Sequence, residues 1–148
     1  MTKVIVESFN LDHTKVKAPY VRNCARITTP KGDLVLKFDL RFTQPNKDIM
    51  PTGVVHALEH LLAGFIREEV SDVVDLSPMG CRTGFYLTII GEADAKDIGK
   101  VLILSLRKVL NAEEIPAANA VQCGNYQDMC LAGAKEYAKK VLKGLECS

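Results

Sequence analysis

The sequence predicts an α+β fold: an antiparallel β-sheet with about three helices packed against one face, in one domain spanning residues 1–148. Three observations carry that expectation. Residues 34–42, "LVLKFDLRF", alternate apolar and polar side chains over the length of a strand. Longer segments at about 52–70, 94–110 and 127–145 repeat their apolar residues with helical spacing. Strand-like segments joined by a hairpin and short turns are interleaved with those helices, which suits an antiparallel sheet.

Taken in order, "VIVES" at 4–8 is expected as a short strand and "YVRNCARITT" at 20–29 as a longer one. "PKGD" supplies the turn between them and the next strand, Pro and Gly providing its backbone angles. In "LVLKFDLRF", Leu34, Leu36, Phe38, Leu40 and Phe42 share one face; Val35, Lys37, Asp39 and Arg41 share the other. That is a half-buried strand, with Arg41 on its polar side. "QPNKDIMP" interrupts the pattern, and a helix begins near Thr52, placed to act as its N-cap. Val55, Leu58, Leu62 and Phe65 anchor it as it runs to about Val70. "DVVDLS" reads as a strand, "PMGCRTG" as a tight loop and "FYLTIIGE" as another strand. A helix then opens at Asp94, "EIPAANAVQCGNY" is irregular, and "QDMCLAGAKEYAKKVLKGL" is a last amphipathic helix carrying Cys130.

At 148 residues the chain is long enough to enclose one hydrophobic core, and 47% apolar residues is ordinary globular usage. Nineteen basic residues against eighteen acidic ones leave no electrostatic footprint for nucleic acid or an anionic membrane. The opening "MTKVIVESFNLDH" lacks the apolar core of a signal peptide, and no apolar run approaches membrane-spanning length. Five widely spaced cysteines then read as reduced thiols in the cytoplasm rather than as a disulfide framework.

"HALEH" at 56–60 is the segment with chemistry in it. On a helix, His56 and His60 stand one turn apart on one face, with Glu59 beside them. Two imidazoles so placed hold a metal, and a neighbouring carboxylate moves protons without being a ligand. The spacing is that of inverted zinc peptidases. Those use a downstream glutamate as third ligand and much longer chains, and no downstream acidic residue here stands in a recognisable motif. A thiolate is the alternative third ligand, with Cys81 in "SPMGCRTG" and Cys123 in "QCGNY" as candidates. Spacing does not choose between them. An isolated cysteine is more often a small buried hydrophobe than a ligand, and Cys24 and Cys130 fit that description.

Five ordered segments take the reading further: "VESFNLDHTKVKAPYVR", "KFDLRFTQPNK", "HALEHLLAGFIR", "DLSPMGCRTGFY" and "IPAANAVQCGNY". Together they resemble the S-ribosylhomocysteine lyase (LuxS) family over nearly the whole chain. "HALEH" stands where many members carry "HTLEH", a difference at a position that is not a ligand. The resemblance implies a homodimer, with active sites at the subunit interface, that converts S-ribosylhomocysteine to homocysteine and 4,5-dihydroxy-2,3-pentanedione, the precursor of autoinducer-2. It implies one divalent metal per subunit, natively Fe(II), with zinc or cobalt able to substitute. His56, His60 and Cys123 match the metal ligands, and Cys81 and Glu59 match the catalytic acid/base pair. Ser8, His13 and Arg41 match active-site positions, Ser8 and His13 being expected from the partner subunit. Arg67 and the backbone of Asp75 match positions that hold the amino-acid end of the substrate.

The implied chemistry suits those groups. The thioether bond begins unactivated, so the sugar carbonyl must migrate by successive enolisations until sulfur lies β to a ketone and leaves. A His₂Cys ion with an exchangeable position polarises the oxygens. Cys81 near a cation favours the thiolate needed to move carbon-bound protons, and Arg41 offers part of that charge. Glu59 serves the hydroxyls and sulfur, and general acid–base steps of this kind contribute ~10²–10⁴-fold each. The guanidinium of Arg67 suits a carboxylate.

Overall fold

A computed structural model of the protein describes residues 3–148. A short helix α1 (Glu7–Asn10) precedes β1 (Tyr20–Thr28) and β2 (Leu34–Arg41). Helix α2 (Thr52–Glu69) leads to β3 (Val73–Pro78) and β4 (Gly84–Ile90). Helix α3 (Ala95–Asn111), a 3₁₀ turn at Tyr126–Asp128 and α4 (Leu131–Glu146) complete the order. The strands form one antiparallel sheet in the order β1-β2-β4-β3.

The alternation in β2 sets the layers. Leu36, Phe38 and Leu40 are fully buried, and beside them in the register stand Leu87 opposite Phe38 and Phe85 opposite Leu40. Against this face pack Leu58, Leu61, Leu62 and Ile66 of α2, Ile98, Leu102 and Leu106 of α3, and Ala138 and Val141 of α4. Burying a side chain of this size is worth about 1.5–3 kcal/mol, so these residues dominate the stabilising side of folding. Three long helices on one face agree with the expected architecture. None of the helices among the described residues is long and apolar enough to cross a membrane.

Three local expectations are corrected. "VIVES" is not a strand: residues 4–6 are irregular and Glu7 and Ser8 open α1. With no neighbouring strand to pair with, three β-branched residues do not make an element. Thr52 lies inside α2 rather than capping it. Pro51 is the cap residue and its carbonyl accepts from Val54 and Val55 N–H at 3.1 Å, while no side chain caps the helix. Cys130 precedes α4, where its sulfur accepts the Gly133 N–H at 3.3 Å. Asp94 does cap α3 as expected, accepting from the Asp97 N–H at 2.8 Å.

The join between β2 and β4 matters for the site. A Cβ on Gly84 would lie 2.2 Å from the Leu40 carbonyl oxygen. Only glycine lets β4 begin this close to Arg41, its partner in the register. The preceding Arg82 adopts φ +59°, a left-handed conformation uncommon for a side chain of this kind, at the turn that presents Cys81.

Candidate functional site

Helix α2 delivers two imidazoles from successive turns. The rings of His56 and His60 lie 4.9 Å apart between centroids, inclined at 76°. Cys123 approaches from the irregular segment between α3 and α4, its Sγ 3.4 Å from His56 Nε2. One ligand atom from each of the three lies within 4.8 Å of the others. Two ligands of one tetrahedral ion, with metal–nitrogen and metal–sulfur bonds of about 2.05 and 2.3 Å, would be roughly 3.6 Å apart. The separation of His56 and Cys123 is close to that, and two nitrogens with a thiolate form a donor set that could hold a divalent metal.

The same irregular segment orients the three side chains. His60 Nδ1–H donates a hydrogen bond to the Pro116 carbonyl at 2.8 Å, which leaves Nε2 free to act as a ligand. His56 Nδ1 lies 3.9 Å from the Asp128 carboxylate, a distance for an ion pair or a bridging water rather than a direct hydrogen bond. Cys123 Sγ accepts the Asn125 N–H at 3.4 Å. The segment is fastened to α2 where the Cys130 N–H donates to the Gly53 carbonyl at 3.0 Å. Gly53 is small enough for the Asp128 backbone to come against it. Ala117 takes φ +58°, so the chain turns sharply just after presenting the Pro116 carbonyl.

Glu59 and His56 line a cleft of about 310 Å³ with Thr52, Val55, Pro78, Met79, Gly80 and Arg82. Cys81, in the β3–β4 loop, lines a different space. There it shares a cavity of about 330 Å³ with Ser8, His13, Arg41 and Tyr86. Met79 and Gly80 border both spaces. Ser8 and His13 therefore stand with Cys81 and Arg41 of their own chain. His13 Nδ1 donates to the Leu11 carbonyl at 2.9 Å, which turns its second nitrogen free.

Arg41 is where the sequence reading needs most revision. It lies on the polar face of β2 as expected, yet it is 1% exposed. Asp39, two residues earlier on the same face, takes Nε at 3.1 Å and Nη2 at 2.9 Å in bidentate fashion. Asp39 also accepts from Arg22 and Tyr20, both at 3.1 Å, and Glu7 closes the network through Arg22. Burial alone would push the Arg41 guanidinium down; the Asp39 carboxylate more than offsets it and holds the group above its ordinary value. Arg67 and Asp75 do not line these cavities. Arg67 is exposed in the last turn of α2, donating to the Ala63 carbonyl at 2.9 Å, and Asp75 is exposed on β3. Arg67 follows His60 by seven positions, so the two share a helix stripe about 10 Å apart along the axis.

Comparison with known proteins decides the family. The model of S-ribosylhomocysteinase (LuxS) matches residues 6–147. The chain belongs to the LuxS family. An S-ribosylhomocysteine lyase of Clostridium perfringens is 60% identical over 140 residues, covering 95% of this chain and 93% of that one. One from Enterococcus faecalis is 55% identical, covering 93% and 90%. The lyase of Thermus thermophilus is 53% identical, covering 93% and 89%. Within this LuxS chain, sequence reasoning named the converging side chains but missed those behind them: Asp39, Pro116 and Asp128. Asp39 alone left a signal, because a carboxylate two residues from an arginine shares its strand face.

Proposed function

We propose that the chain is an S-ribosylhomocysteine lyase, a carbon–sulfur lyase that releases homocysteine and the autoinducer-2 precursor 4,5-dihydroxy-2,3-pentanedione. The observation that carries the reading is the convergence of His56, His60 and Cys123 beside Glu59, while a second thiol, Cys81, faces a separate cavity with an arginine. A metallopeptidase has no use for that second thiol.

His56, His60 and Cys123 hold the divalent ion in this reading. When bound, the ion, Fe(II) natively with zinc or cobalt able to substitute, supplies Lewis acidity to the sugar oxygens. Cys81 takes the carbon-bound proton of each enolisation and returns it to the adjacent carbon, with the Arg41 charge favouring its thiolate. Glu59 exchanges protons with the hydroxyls and delivers one to the departing sulfur. Ser8 and His13 orient the sugar hydroxyls. Arg67 pairs with the carboxylate of the homocysteine end and the Asp75 backbone receives its amino group.

The enzyme acts as a homodimer in the cytoplasm. A second copy would cover the sheet face without helices, near which Phe9 and Ile90 are exposed. Ser8 and His13 were expected across the interface; because they share their cavity with Cys81 and Arg41, those two travel with them. Each complete site then joins the metal and Glu59 of one subunit to the thiol cavity of its partner.

Anaerobic incubation of metal-loaded protein with S-ribosylhomocysteine tests the reading, with free thiol as the readout. Stoichiometric homocysteine release is expected. Metal-replete protein that releases no thiol would overturn it, and cleavage of a peptide instead would favour the peptidase.

A further inference from the structure

Between Arg41 and Cys81 lies a side chain to which neither the motif nor the proposed mechanism gives a part. Thr83 is 2% exposed. Its Oγ1 is 3.0 Å from Arg41 Nη1 and 3.0 Å from Cys81 Sγ. We propose that Thr83 is a positioning residue that donates its hydroxyl hydrogen to the Cys81 sulfur, aiming the thiol and favouring its anionic form.

The direction of the bond follows from counting donors. A guanidinium has five N–H groups and no acceptor, so Thr83 Oγ1 accepts from Arg41. Arg41 is itself fixed, since Asp39 occupies Nε and Nη2. A hydroxyl has one hydrogen, and among the described residues Cys81 Sγ is the remaining hydrogen-bond partner of Thr83 Oγ1. With the sulfur as donor instead, a buried hydroxyl hydrogen would go unpaired, which is unfavourable. The arrangement that satisfies every group runs from Asp39 through Arg41 and Thr83 to Cys81, with each hydrogen pointing toward the sulfur end of its link after the carboxylate. A sulfur that accepts a hydrogen bond is stabilised in its charged state.

The hydroxyl is also held rigidly. The Thr83 carbonyl accepts N–H groups from Phe42 at 2.8 Å and Thr43 at 3.0 Å, tying the residue to the end of β2. Its β-branched side chain has few rotamers, and Gly84 next to it fixes the spacing to Arg41. Cys81 itself is exposed on a loop, so without this contact its sulfur has nothing comparable to aim it.

The inference rests on the reading of Cys81 as the acid/base group, and a chemical readout separates the two. Thr83→Val removes the hydroxyl at nearly constant shape; Thr83→Ser keeps it. Iodoacetamide labelling of Cys81 at pH 7, followed on its own peptide by mass spectrometry in metal-loaded anaerobic protein, should slow about tenfold or more in Thr83→Val. Thr83→Ser should label within about threefold of the parent, as expected where one hydroxyl donor replaces another. In steady-state assays Thr83→Val should lose kcat by a comparable factor with little change in KM, because the bond acts on the reacting group rather than on substrate binding. Thr83→Ala serves the same comparison should valine prevent folding. Parent-like labelling in a folded variant lacking the hydroxyl would overturn the proposal, as would equal slowing in Thr83→Ser. Slowed labelling in a protein without lyase activity would leave Thr83 in its role and overturn the function instead.

Discussion

Arg41 shows how much one neighbour changes a side chain's meaning. An arginine on the polar face of a strand is ordinarily solvated, and period-two alternation placed it there correctly. Asp39, fully buried and shared among Arg41, Arg22 and Tyr20, turns that position into the floor of a cavity. Removing one partner from such a network strands a buried charge, which commonly costs 3–5 kcal/mol. Asp39→Asn should therefore lower the free energy of unfolding in urea by about 3 kcal/mol. An unchanged midpoint would mean that the pair is solvated after all. The two candidate imidazole ligands were legible at this scale because residues at i and i+4 must share a helix face, whereas spacing alone did not choose Cys123 over Cys81. Their supports were not: Pro116 acts through a carbonyl that every residue possesses, and Asp128 lies far from His56 in sequence.

Among the elements, β2, β4, α2 and α3 were readable because each carries an unbroken pattern with clear punctuation, such as the Asp94 cap. The segment 4–8 misled because apolar β-branched residues suit a strand only where another strand is available to pair. The segment between α3 and α4 gave no pattern at all, yet it contributes Cys123 and two of the groups that orient the histidines. Its conformation is set by docking on α2 through Gly53, a tertiary contact without a periodic signature. Gly84 is the element-scale constraint most open to measurement. Adding a methyl group 2.2 Å from the Leu40 carbonyl must push β4 away from Arg41. Gly84→Ala should cost ~2–3 kcal/mol in stability, as overpacking against an immobile backbone does, and should also slow turnover. Parent-like stability would place the two strands further apart than described.

For the whole molecule, the division into a cleft lined by His56 and Glu59 and a separate cavity lined by Cys81, with Met79 and Gly80 bordering both, has a consequence for assembly. If each site joins the two halves from different subunits, Glu59→Gln and Cys81→Ala protomers complement: a mixed dimer has one site with both halves intact. Random exchange makes about half the dimers mixed, so roughly a quarter of parent activity should return. His13→Ala mixed with Cys81→Ala should recover nothing, since both lesions fall in the same half. Recovery in the second mixture, or none in the first after verified exchange, would contradict the shared-site assembly.

The proposed function assigns the metal to Cys123 and the proton transfer to Cys81. Metal content of anaerobically prepared Cys123→Ala and Cys81→Ala proteins, read together by elemental analysis, separates the two directly. The structure predicts that Cys123→Ala loses its divalent ion, whereas Cys81→Ala keeps one per chain and loses only turnover. Equal, stoichiometric metal in both variants would contradict the account.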